Sequence, residues 1–173
     1  IIKKWSGEGG EKIETVQFEG YGPGGVAVII DAITDSRNRT SQEIRHLLSQ
    51  HGGNLASPGS VVWVFERCGR ITVPLAGAVF GDIEALAIEG GAEDVSREDD
   101  AAIIITKPDE LFLVKTFFEG KGIMPARAEL DYQPKNTVTV ANPHIKIQVE
   151  NLFEALDDND DVQDIYSNVV FAS

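Results

Sequence analysis

The chain is short of sulfur, of positive charge and of long apolar runs, and each shortage removes a class of function. Its 173 residues include one cysteine, Cys68, so no disulfide can close within the chain, and the thiol fits a reducing compartment. No base lies near Cys68 in sequence, and an inert thiol at a strand end is the expectation. No apolar stretch reaches the roughly 20 residues that a membrane helix needs. The histidines are His46, His51 and His144; the first two are spaced so that they miss a common helix face, as metal ligands would not. No G-x-S-x-G elbow is present. The expectation is a protein that is not an enzyme and carries neither metal nor cofactor.

Positive charge is scarce and unevenly placed. Lys and Arg number 15 against 28 Asp and Glu, a net −13. Residues 1–80 hold eight of each sign, whereas residues 81–173 hold seven basic and twenty acidic side chains. An acidic surface repels phosphate, so any nucleic-acid contact is expected from the first half. The apolar share of 42% suffices for a core, and the length suits one or two domains.

What is present reads as alternating short strands and helices. Val16 to Phe18 and the nearly continuous apolar run Val26 to Ile33 read as strands. Thr40-Ser-Gln-Glu43 matches a capping box, followed by a stripe of Ile44, Leu47, Leu48 and His51 with Gly52 as a left-handed cap. His51 in the last turn suits the negative end of the helix dipole. Val61 to Glu66 reads as a third strand. Then come a strand at Ile71 to Val73, a helix at Asp82 to Glu89, strands at Asp94 to Arg97 and Ala101 to Thr106, a helix carrying Leu111, Val114 and Phe118, and a strand at Arg127 to Tyr132. That order, βαββαβ, is the split plait. The tail predicts a helix with Val149, Leu152, Phe153 and Leu156 inward, then a strand from Val162 to Val170. It supplies the helix and strand that the first part lacks. The expected class is α+β with two ferredoxin-like βαββαβ-type domains, one inserted in the other. Residues 11–69 and 144–173 form the first, 70–143 the second, and 1–10 a helix stub and linker.

Two motifs mimic ligand sites. Gly20-Tyr-Gly-Pro-Gly-Gly25 contains G-x-G-x-x-G, but a strand follows it where a dinucleotide site needs a helix. Asp157-x-Asn159-x-Asp161 begins like a calcium loop, yet Val162 replaces the turn glycine and Asn168 the bidentate glutamate. A tight turn and a solvated acidic turn are the expectations. The cationic run Arg37-Asn38-Arg39, with Thr40, Arg45 and His46, is the candidate nucleic-acid site. Arginines beside a helix N-terminus suit phosphate, and Asn38 suits a base or a 2′-hydroxyl. The alternative is a solvated loop whose arginines pair with Asp31, Asp35 or Glu43.

The run Phe18-Glu-Gly-Tyr-Gly-Pro-Gly-Gly, the loop Asp35-Ser-Arg-Asn-Arg-Thr-Ser41, and Gly52-Gly-Asn-Leu with Gly59-Ser-Val together resemble the YebC/PmpR family. So do Gly90-Gly-Ala-Glu-Asp-Val and Asp160-Asp-Val-Gln-Asp-Ile-Tyr-Ser-Asn. The resemblance implies a fragment without a basic, helical N-terminal domain, Ile1 to Trp5 being the stub of its last helix. It also implies a non-catalytic translation factor that binds the ribosome, rRNA or tRNA and assists difficult, proline-rich stretches. Its compartment would be the cytoplasm of a bacterium or the mitochondrial matrix of a eukaryote. The family's older label, a DNA-binding transcriptional regulator, is the alternative. Oligomeric state is not legible.

Overall fold

The computed structural model describes residues 12–172; the expected stub and linker at 1–10 lie outside the described residues. The chain divides into two compact units, one running to Phe65 and resuming at Pro134, the other spanning Glu66–Gln133. The boundaries expected at Arg70 and Pro143 therefore differ from the observed ones. Arg70 falls inside a strand, and residues 134–142 belong to the first unit. The class is α+β with two ferredoxin-like units.

In the first unit, β1 (Glu14–Tyr21) and β2 (Ala27–Thr34) form an antiparallel hairpin with Phe18 opposite Ile30. The glycine-rich segment makes the turn between them, with Gly24 and Gly25 at φ of 75° and 80°, a region glycine enters without a Cβ clash. Helix α1 spans Arg37–Gln50 and β3 spans Asn54–Ala56. After the second unit come β8 (Val138–Val140), a helix at Pro143–Asp157, β9 (Val162–Ser167) and β10 (Val169–Phe171). The sheet order is β3-β1-β2-β9. Val28 and Ile30 of β2 meet Ile44 and Leu48 of α1 and Val149, Leu152 and Leu156 of the later helix in one core. Both helices thus cover the same face of the sheet. The chain order is ββαβ…αβ, so the layers of the plait are reached by a different path from that of the second unit.

Three local expectations are corrected here. Helix α1 starts before Thr40, because Ser36 in an extended conformation is the cap and its Oγ accepts from the Arg39 N–H at 3.3 Å. The first unit's third strand is Asn54–Ala56, not Val61–Glu66. Val62–Val64 is a 3-10 turn because the Glu19 carboxylate takes the N–H groups of Gly59, Val61 and Val62, which a ladder would otherwise use. The tail strand breaks at buried Asn168. Its Oδ1 accepts from the Ala27 N–H at 2.8 Å, and its Nδ2 donates to the Asn136 carbonyl at 3.1 Å. β9 therefore pairs with β2, whereas β10 pairs in parallel with β8.

The second unit contains β4 (Phe65–Pro74), α2 (Phe80–Glu89), β5 (Asp94–Glu98), β6 (Ala101–Thr106), α3 (Leu111–Gly120) and β7 (Arg127–Pro134); we number the Pro143–Asp157 helix α4. The strand expected at Ile71 to Val73 is the middle of the longer β4. The sheet order β5-β6-β4-β7 is that of the plait. Ile71, Val73 and Ile104 pack against Ile83, Ala87, Val114 and Phe118. Cys68 is buried within β4 beside Ile103 and Ile105, away from a strand end. Burial, reinforced by Asp131, pushes its thiol up to about 11, so the thiolate is scarce at neutral pH.

Candidate nucleic-acid interface

Helix α1 carries every residue of the cationic run, and its 3.6-residue turn sorts them onto different faces. Thr40, Ile44 and Leu48 form the buried stripe. Arg37, Ser41 and Arg45 follow one another at four-residue steps along a solvent face, with Asn38 at its edge. Arg39 lies roughly 200° round from Arg37, on the opposite flank.

That separation decides their roles. Arg39 Nη2 lies 2.8 Å from Asp161 Oδ2, Nη1 lies 3.0 Å from Asp35 Oδ1, and Nε lies 3.7 Å from Glu43 Oε2. The hydrogen bond that Arg39 donates to Asp161, then the one it donates to Asp35, raises the already high Arg39 pKa. Arg39 in turn holds the Asp161 carboxyl below its ordinary range, against the opposing effect of burial. Thr40 is fully buried, and its Oγ1 donates within a cluster of Thr34, Ser36 and Asp161. Asn159 Nδ2 donates to Glu43 Oε1 at 3.0 Å. The acidic turn at 157–161 is therefore the counter-charge that ties the tail to α1. Of the six candidate residues, Arg39 and Thr40 serve this framework. His46 is exposed on the Arg39 flank.

Arg37, Asn38 and Arg45 come together. With Ser41, Gln17 and Ser57 they surround a recess of about 420 Å³. Its apolar wall comes from Val16 and Phe18 on β1 and from Leu55, Ala56 and Pro58. The recess exists because β3 pairs with β1 only from Glu19 to Tyr21 and stops short of Val16–Phe18. Neither Arg37 nor Arg45 enters an ion pair among the described residues. Two guanidiniums without counter-ions beside a concavity form an anion-seeking surface in a chain of net charge −13.

Glu19 fixes the far wall. It is 6% exposed, and its Oε1 accepts from the Val61 and Val62 N–H groups at 2.8 Å each while Oε2 accepts from Gly59 at 2.7 Å. Burial alone raises the Glu19 pKa, but the three N–H donors outweigh it and hold the carboxyl below its ordinary value. The segment carrying Ser57 and Pro58 is thereby pinned beside β1. Ser41 could have been found in the sequence from its four-residue spacing to Arg37 and Arg45. Gln17 and Ser57 carry no local signal, since tertiary pairing alone brings them to the helix.

Comparison with known proteins places these features in a larger group. The family described as TACO1/YebC second and third domain matches residues 13–169. A protein of Kosmotoga olearia named "probable transcriptional regulatory protein" is 49% identical over 96% of this chain, which spans 66% of that relative's length. A protein of the same name from Pseudothermotoga lettingae is 47% identical, and the chain again spans 66% of it. The crystal structure of a conserved hypothetical protein from Aquifex aeolicus superposes with a TM-score of 0.90 at 42% identity, covering 99% of this chain and 71% of that one.

Proposed function

The chain belongs to the TACO1/YebC family, and from that premise we propose that it is a non-catalytic regulatory protein that binds nucleic acid through the Arg37, Asn38 and Arg45 face of α1. The observation that carries this reading is the pair of arginines on one helix face that enter no ion pair among the described residues and line a recess, in a chain of net negative charge. The names of the relatives, "probable transcriptional regulatory protein", support regulation of transcription, and on that reading we take duplex DNA as the target. A second reading is a translation factor that engages rRNA or tRNA on the ribosome and assists proline-rich stretches. The concavity supports it, because a duplex groove is read by an element that protrudes, whereas folded RNA offers unstacked bases.

The test is a salt titration of binding to a structured RNA and to duplex DNA, for the wild type and for Arg37→Ala with Arg45→Ala. If each arginine meets one phosphate, the double variant lowers the salt slope by about 1.4 on single-stranded segments and about 1.8 on B-form DNA. The target bound more tightly at matched salt decides between translation and transcription. An unchanged slope on both targets removes the site.

A further inference from the structure

We propose that the recess beside α1 seats one unstacked nucleotide of a single strand, with Arg37 and Arg45 each meeting one of its two flanking phosphates. The inference rests on the nucleic-acid reading and names what that site takes. About 420 Å³ lies within the roughly 300–1,000 Å³ of sites that enclose small ligands, and it is a space for a base, not for a duplex. The two arginines stand eight residues apart on α1, a Cα rise of about 12 Å, and both line the recess, so two separated cations face one strand there. Part of the lining is apolar, and Leu55 and Pro58 give a base nonpolar surface to lie against. Asn38 both donates and accepts, which suits the edge of a base that pairing has left free. The acidic member of the lining does not oppose this, because three backbone N–H groups already engage the Glu19 carboxylate. The same bonds hold the wall in place before any ligand arrives, which spares the ordering cost of forming the seat.

The experiment fills the recess without removing charge. Ser41→Phe places a ring between the arginines, and Ser57→Phe does so from the exposed far wall, where a fold defect is least expected. Binding is read by fluorescence anisotropy of the 173-residue chain with a labelled single strand of about ten bases, as RNA and as DNA, and with the same sequence as a duplex. Thermal melts accompany each variant. The expected result is a loss of about tenfold or more in single-strand affinity, the equivalent of one good contact group, with less than about a twofold change on the duplex. The salt slope stays unchanged because both arginines remain. RNA tighter than DNA assigns Asn38 to the 2′-hydroxyl as well as the base; equal affinity assigns it to the base alone. Unchanged single-strand affinity in both phenylalanine variants overturns the seat, while a lowered salt slope in the double alanine variant still upholds the surface. Equal losses on strand and duplex likewise overturn it, in favour of a groove contact. If the double alanine variant binds as the wild type does, the nucleic-acid reading falls, and the seat with it.

Discussion

In the first unit the leading helix opens Arg37-Asn-Arg39, is capped by Ser36 and turns charge outward; in the second the leading helix, α2, opens Phe80-Gly-Asp82 with no side-chain cap. The second unit also leaves Phe112 and Leu113 exposed on α3. Both units place two helices on one face of a four-stranded antiparallel sheet. Total charge does not distinguish them. The second carries seven basic and fourteen acidic residues, and the described part of the first carries six and twelve. What differs is distribution. Among the described residues, half of the first unit's cations sit within nine residues of α1, while half of its acids lie on α4 and in the turn that follows it, up to Asp161. The comparison teaches that two units sharing a scaffold differ in how charge is sorted, and the proposed binding surface rests on that sorting along a single helix.

The largest effects test whether each unit rests on its own core. Phe118→Ala should destabilise the second unit by about 3–5 kcal/mol and Leu48→Ala the first by about 2–5 kcal/mol, since both side chains are fully buried. Hydrogen exchange resolved by residue should show each loss concentrated in its own unit. Equal loss of protection in both units would mean that they unfold as one body and would weaken the comparison.

A middle-sized effect concerns the wall that only the first unit has. Glu19→Gln leaves fewer acceptor sites and no charge for three N–H donors, and should cost about 1–3 kcal/mol at neutral pH. The sign with pH follows from the depressed carboxyl. The wild type gains this stability fully above the unfolded-state pKa and loses it as pH falls through the folded one, so the difference between wild type and variant should shrink in acid. Denaturant titrations at several pH values check this, and a difference that grows in acid would contradict it.

The smallest effect sharpens the contrast within α1. Arg39→Ala removes the partner of Asp161, Asp35 and Glu43, so it should lower the melting temperature and leave the salt slope of nucleic-acid binding unchanged. The Arg37 and Arg45 double alanine variant should do the reverse, with stability within about 0.5 kcal/mol of wild type. If both variants behave alike, the division of α1 into a framework flank and a binding flank is wrong.

Much of this was legible in the chain. The stripe of Ile44 and Leu48, the left-handed Gly52 with φ of 85°, the helix of Leu111, Val114 and Phe118, and the tail helix all follow from period and cap signals that act within a few residues. The failures have a common cause. Thr40 matched a local capping box, but Thr34 and Asp161, distant or buried partners, claimed its hydroxyl. Val61 to Glu66 looked like a strand until Glu19, some forty residues earlier, drew its N–H groups away. The tail strand ended at Asn168 because Ala27 and Asn136 needed its amide.

The sequence by itself determined the class of fold, the inward faces of the helices and the location of the cations, because hydrophobic period and glycine conformation are local properties. Only the tertiary structure decided which cations are available. Arg37 and Arg39 are two residues apart and chemically identical, yet one helical twist turns Arg39 toward the acids of the tail and leaves Arg37 over an open recess. A charge near an acid that the chain folds alongside is already spent in an ion pair. Asp35 and Glu43, four residues to either side of Arg39, are partners that the sequence offered, whereas Asp161 is brought in by a contact across more than a hundred residues, which no local pattern contains.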